Sequence, residues 1–191
     1  EKSLMLINPD YLIKNNIFII FIMIFFSCND FSKLNSSEIM KTVDYVDLEK
    51  YMGDWYVIGN IPTFIEKNAT NAVESYRLNE KGIIETTFTF YKNTPEGEKK
   101  VYHPKGFVHN KKTNAEWRMQ FLWPFKLPFL IIELDKEYSY TVIGYPSKKF
   151  VWIMAREPKM EEERYNKILE NLADIGYDIT LIKKVPQDWD N

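Results

Sequence analysis

Tyr51-Met52-Gly53-Asp54-Trp55-Tyr56-Val57-Ile58-Gly59 decides how the chain is read. Gly53 allows a tight turn, and the residues after it carry strand-forming side chains, so a Trp stands at the start of a strand. A second tryptophan strand, Phe150-Val151-Trp152-Ile153-Met154-Ala155-Arg156, follows far along the chain and ends in an arginine. A guanidinium lying over an indole is stabilising by ~0.5–2 kcal/mol. Trp55 and Arg156 are therefore expected to meet and plug one end of a β-barrel.

The chain between them can build that barrel. From Gly53 to Arg156, β-rich runs alternate with turn signals at hairpin spacing. The runs are Trp55 to Ile61, Ala72 to Leu78, Ile83 to Tyr91 and Lys99 to Val108, then Glu116 to Leu122, Pro128 to Leu134, Tyr138 to Tyr145 and Phe150 to Arg156. Pro104 and Gly106 predict a bend in the fourth run. Pro62 stops the first, and Thr63 to Lys67 reads as a short turn capping the barrel mouth. Ile84, Thr86, Phe88 and Phe90 share one face of their run, as do Trp117, Met119 and Phe121 of theirs. An all-β fold follows: an eight-stranded antiparallel up-and-down β-barrel, filled by side chains or holding one small ligand.

Pro158 reads as the start of a helix, with Glu161, Glu162 and Glu163 in its first turns. Tyr165, Ile168, Leu169, Leu172 and Ala173 make its apolar face, which packs outside the barrel, and Gly176 caps it. Tyr177 to Ile182 reads as a short extra strand, and 186–191 as a tail.

The 191-residue chain is 45% hydrophobic with a net charge of −2, enough for a packed core and without the basic footprint of nucleic-acid binding. Residues 1–27 read as an export signal. Ile17 to Phe26 is an unbroken apolar run, about 15 Å long as a helix, too short to cross a bilayer, with Lys14 before it. Cys28, the one cysteine in the chain, follows Ser27. This resembles a bacterial lipoprotein signal, although Phe25 and Phe26 are bulkier than that pattern usually has. It implies that Cys28 becomes an acylated first residue, with 28–45 as a lipid-anchored tether and 46–185 as the barrel domain. Asn29 after the cysteine implies the outer membrane, with the domain facing the periplasm.

Gly53-Asp54-Trp55-Tyr56, Tyr138-Ser139-Tyr140-Thr141-Val142-Ile143-Gly144 and Arg156, in that order, resemble the signatures of the lipocalin family, in particular its bacterial outer-membrane lipoproteins. The second departs from the family pattern in lacking Thr-Asp-Tyr. The resemblance implies a barrel open at one end that binds small hydrophobic ligands, with fatty acids or lysophospholipids expected, for lipid transport, storage or scavenging in the cell envelope. Gly53, Trp55 and Arg156 form the structural signature. Tyr76, Phe88, Phe90, Trp117, Met119, Tyr140 and Trp152 are expected to line an apolar cup, with Tyr76, Phe88, Trp117 and Trp152 nearer its opening. A barrel these residues simply fill, serving as an interaction module, is the competing reading. A lipid-modifying enzyme is another, but no nucleophile and base come together in the sequence. No cofactor or metal is expected: His103 and His109 lack a third ligand. Arg77 and Arg118 fall on the polar face. The apolar stretch Phe121 to Phe129 marks either packing on the rim or helix, or contact with a membrane or a second copy.

Overall fold

A computed structural model describes residues 40–189. The export signal, Cys28 and the tether as far as residue 39 lie outside the described residues.

The strands are β1 (Gly53–Ile61), β2 (Ala69–Leu78), β3 (Ile83–Lys92), β4 (Lys99–Tyr102), β5 (Lys105–Val108), β6 (Glu116–Leu122), β7 (Phe125–Leu134), β8 (Tyr140–Gly144), β9 (Val151–Ala155) and β10 (Lys183–Lys184). The helices are α1 (Leu48–Tyr51) and α2 (Glu162–Asp174). Antiparallel neighbours run in chain order, and β9 pairs back onto β1, which closes the sheet. The expected bend falls at His103-Pro104 and divides β4 from β5, both of which pair with β3. Counted as one bent strand, they make eight barrel strands, with β10 added beside β1.

The floor is assembled around Arg156. Its guanidinium carbon lies 3.8 Å from the centre of the Trp55 ring system. Nη1 donates to Asp54 O at 2.8 Å, and Nη2 to Lys50 O at 2.8 Å, Tyr51 O at 3.1 Å and Met52 O at 2.8 Å. Three of these carbonyls close the C-terminal end of α1, where helix geometry leaves acceptors without partners and a cation is favoured. Asp47 caps the other end, its Oδ1 accepting from the Glu49 and Lys50 amides. Gly53 turns the chain out of α1 at φ +95°, and a Cβ there would lie 3.3 Å from Arg156 Nη1. Both the turn and the close approach exclude a side chain. The chain reaches this floor already bound: the Val43 amide donates to Ile131 O and that of Val46 to Thr113 O.

On the outside, Tyr165, Ile168 and Leu172 of α2 cover Ile58, Ile61, Val142, Val151, Ile153 and Ala155. The helix starts at Glu162, not at Pro158, because the chain must first pass from the floor to the outer wall, with Met160 packing on that wall on the way. It ends as expected at Gly176, φ +88°. The Gly176 amide donates to Ala173 O and that of Tyr177 to Leu172 O, which satisfies carbonyls of the last turn.

Two expected elements differ. Tyr177 to Ile182 is not a strand. Asp178 Oδ1 accepts from the amide and hydroxyl of Thr180, and this local bonding draws Ile179–Leu181 into a 3-10 turn. The extra strand forms two residues later, at Lys183–Lys184. The gap left between the runs ending at Leu122 and beginning at Pro128 is a tight hairpin turn, with β7 running from Phe125 through Pro128. Residues 125–129 pair with β6 alone, and a proline is tolerated on such a one-sided stretch. Beyond β10 the chain stays docked: Gln187 Nε2 donates to Val57 O and Ala72 O, beside the register shifts in β1 and β2.

Arg156→Ala should take a donor from four carbonyls, of which Tyr51 O keeps Trp55 Nε1, and lower unfolding free energy by about 2–4 kcal/mol, read by urea denaturation. Arg156→Lys, a point donor, should recover less than half. An unchanged unfolding midpoint in the alanine variant would refute this role.

Candidate ligand-binding site

Side chains that face one another in antiparallel register share a face, so the barrel interior can be traced strand by strand. Its lower part is solid. The α1 residue Tyr51 projects upward among Trp55, Tyr76 and Trp117, with ring centres 5.0, 5.8 and 5.2 Å away. Phe129 stacks on Trp117 at 5.1 Å. Trp55 Nε1 donates to Tyr51 O and Trp117 Nε1 to Asn114 O, so both indoles are held at the floor. This corrects the expected position of Tyr76 and Trp117: they belong to the floor plug and not to the opening. Register is the reason, since Tyr76 pairs with Gly53 at the first residue of β1.

Above the plug the wall is apolar but not closed. Phe88, Phe90 and Tyr102 form one ring cluster, with centres 5.2 to 6.4 Å apart. Met119 is buried opposite Gly106, where a Cβ would come within 3.0 Å of its sulfur. Trp152 faces Asn60 across β9 and β1. Tyr102, Trp152 and Glu74 point inward and yet keep partial solvent exposure, so solvent reaches these side chains in the upper lumen.

Tyr140 is not in this lumen. It pairs with Ala155, whose side chain lies in the outer cluster beneath α2. Its hydroxyl donates to Glu133 Oε1 at 2.9 Å, and the Arg164 guanidinium lies 4.9 Å from its ring centre. It lines an outer groove of about 420 Å³ between α2 and the barrel, together with Glu133, Arg164 and Lys167. The expected inward direction fails because β8 is buried on both faces: Val142 packs against the helix and Ile143 in the barrel. Apolar residues on both faces erase the alternation that would set the phase.

The lumen also holds polar groups that were not anticipated. Glu74 lies between Trp55 and Phe88 in register and accepts a hydrogen bond from the Tyr76 hydroxyl. Burial pushes its carboxyl up to about 7, against that hydrogen bond and with a further push from the charge of Glu66. Glu66, on the mouth loop, is 5% exposed. Its Oε1 accepts from Trp152 Nε1 at 2.7 Å, and its Oε2 from the amide and hydroxyl of Thr63. Burial raises its pKa too, and those hydrogen bonds oppose the rise. Glu74 was legible, since it stands two residues before Tyr76 on a strand with one inward face. Glu66 lies on a loop, where no periodicity points inward.

The rim is apolar on one side. The β6–β7 hairpin exposes Phe121, Leu122 and Leu127, and Trp123 at its tip is 81% exposed. Lys92, Lys99, Lys126 and Lys149 are exposed at the same end of the barrel. Arg77 and Arg118 stay on the outer face, paired with Glu85 and Glu116.

Residues 46–187 match the family described as the lipocalin-like domain. "Temperature-induced lipocalin-1" of Arabidopsis thaliana is 32% identical over 158 residues, covering 78% of this chain and 83% of that protein. "Outer membrane lipoprotein Blc" of Vibrio cholerae is 27% identical over 155 residues, covering 81% and 90%. Insecticyanin from the tobacco hornworm Manduca sexta superposes with a TM-score of 0.64 at 17% identity, over 78% of this chain and 85% of that one.

The raised carboxyl of Glu74 has a stability consequence. Its pKa is about 7 in the folded barrel against an ordinary 4.5, so between those values the folded state holds a proton that the unfolded chain has released. Stability should therefore fall as pH rises from about 4.5 to about 7, by at most about 3 kcal/mol from this group. Glu74→Gln should flatten that slope in urea titrations at pH 5 and pH 8, and an unaltered slope would contradict the burial of this carboxyl.

Proposed function

The chain belongs to the lipocalin family, and from that premise we propose that it is a membrane-anchored lipid-binding protein of the cell envelope. Its ligand is a fatty acid or lysophospholipid whose single acyl chain occupies the upper lumen. The observation that carries this reading is the combination of a solid floor with inward side chains that still reach solvent above it. A pocket closed at one end and apolar along its wall takes an acyl tail. Glu66 and Glu74 disfavour an anionic head inside, so the head stays at the mouth, near the exposed lysines. Phe88, Phe90, Met119 and Trp152, with Tyr102, form the contact wall. The protein acts by binding and not by catalysis.

The likeness to outer membrane lipoproteins, together with Cys28 in its signal context, supports an acyl anchor in the outer membrane with the domain on the periplasmic side. The Trp123 hairpin supports a second contact with that membrane. An exposed apolar tip beside lysines matches a bilayer carrying anionic lipid. Seated that way, the mouth faces the surface that holds its ligands.

Titration of the Cys28→Ser protein with a fluorescent fatty acid, followed by displacement with lysophospholipid, tests the first part. Saturable, competed binding is expected, and Trp152→Ala should weaken it by roughly tenfold while the domain, though less stable, stays folded by circular dichroism. A barrel filled throughout would show no saturable binding, and the proposal would then fail.

Co-sedimentation of the same Cys28→Ser protein with vesicles containing anionic lipid tests the second. Trp123→Asp should reduce the bound fraction several-fold. Equal sedimentation of parent and variant would remove the hairpin from any membrane role.

A further inference from the structure

The polar groups of the lumen are out of place in a cup built for hydrocarbon alone. Thr86 lies on the inward face of β3, between Ile84 and Phe88 and opposite Tyr76. It is 3% exposed, and its Oγ1 has no hydrogen-bond partner among the described residues. A buried hydroxyl without a partner costs free energy that a bound ligand can recover. Tyr76 beside it spends its own proton on Glu74. Glu74 and Thr86 thus both offer oxygen acceptors, and the Thr86 hydroxyl also keeps a proton without a partner.

Charge acts in the same direction. Glu74 faces Glu66 from the mouth loop, Tyr76 from its own strand and Tyr51 from the floor helix, and Tyr76 and Tyr51 feel Arg156 below them. Arg156 is committed to four carbonyls and to Trp55. Neither Glu66 nor Glu74 has a cation in an ion pair among the described residues. Two inward carboxyls without a counter-ion, Glu66 buried and Glu74 partly exposed, next to an unsatisfied hydroxyl, are complementary to a group that brings positive charge and several N–H donors.

We propose that Glu74, Tyr76 and Thr86 form a subsite at the base of the lumen that takes the protonated amine of an apolar ligand, with Glu66 as a second carboxylate between that subsite and the mouth. The ligand class is a hydrocarbon chain ending in a primary amine. One N–H goes to a Glu74 oxygen and another to Thr86 Oγ1, while the chain runs along Phe88, Phe90 and Trp152. The inference rests on the reading that the lumen takes apolar ligands, and it adds a preference: cation over neutral group, and neutral group over carboxylate, at equal chain length.

The test is a three-ligand comparison on the Cys28→Ser protein at pH 8, with decylamine, decanol and decanoate displacing a neutral fluorescent probe. Decylamine is expected to bind about tenfold or more tighter than decanol, the range of one charge-assisted hydrogen bond. Glu74→Gln should bring the amine-to-alcohol ratio close to one, and Thr86→Val, which keeps the shape, should lower it several-fold. An amine with no advantage over the alcohol, or an advantage that survives in Glu74→Gln, overturns the subsite while leaving the lipid-binding lumen standing. Failure of all three ligands to displace the probe overturns the lumen and the subsite together.

Discussion

Everything in this barrel hangs on one guanidinium. Arg156 follows the last barrel strand, and the carbonyls it gathers come from the end of α1 and the start of the first strand. The β9–β1 ladder already closes the sheet, but a ladder alone leaves an open tube. The arginine converts the tube into a vessel, because it fixes α1 across one end and thereby drives Tyr51 up into the lumen. A planar cation with several donors is needed, since four acceptors must be met while one face stays on the Trp55 ring. The rest of the floor follows from that placement: Trp55, Tyr76, Trp117 and Phe129 pack around Tyr51, and Gly53 must be a glycine to let the guanidinium in.

That floor was legible because it is carried by residue types with few alternative uses. A glycine before a strand tryptophan, and an arginine ending the last strand, are strong punctuation in a chain with regular turns. The barrel order and the C-terminal cap of α2 were legible for the same reason: prolines, glycines and asparagines mark the turns, and the inward face of β3 alternates cleanly. Element ends were less so. Asp178 offers its carboxylate to the next backbone amide but one, and that short-range competition overrode the strand propensity of Ile179 to Ile182.

The lumen was only partly legible, for two separate physical reasons. Alternation assigns a face only where one side of a strand is wet. On β8 the helix dries the outer side, so Tyr140 and Thr141 carry no phase signal and the wrong one was placed inside. Depth along the barrel is the second reason. Periodicity says inward or outward, but height above the floor depends on register, which is set by bulges and turns that the sequence marks weakly. Tyr76 and Trp117 are inward as read, yet they sit at the level of the plug.

Depth also decides what the polar groups mean. A carboxylate on the inward face near the rim would be solvated and would say little about ligands. Glu74 stands lower, in register between Trp55 of the plug and Phe88 of the apolar wall. Glu66 is held inward by Trp152 and Thr63 and cannot swing to solvent without breaking those bonds. On the proposed reading, the same two residues would keep an anionic head out of the lumen and make its base receptive to a cation. Tail-first entry for anionic lipids and head-first entry for amines would then be two consequences of one charge arrangement.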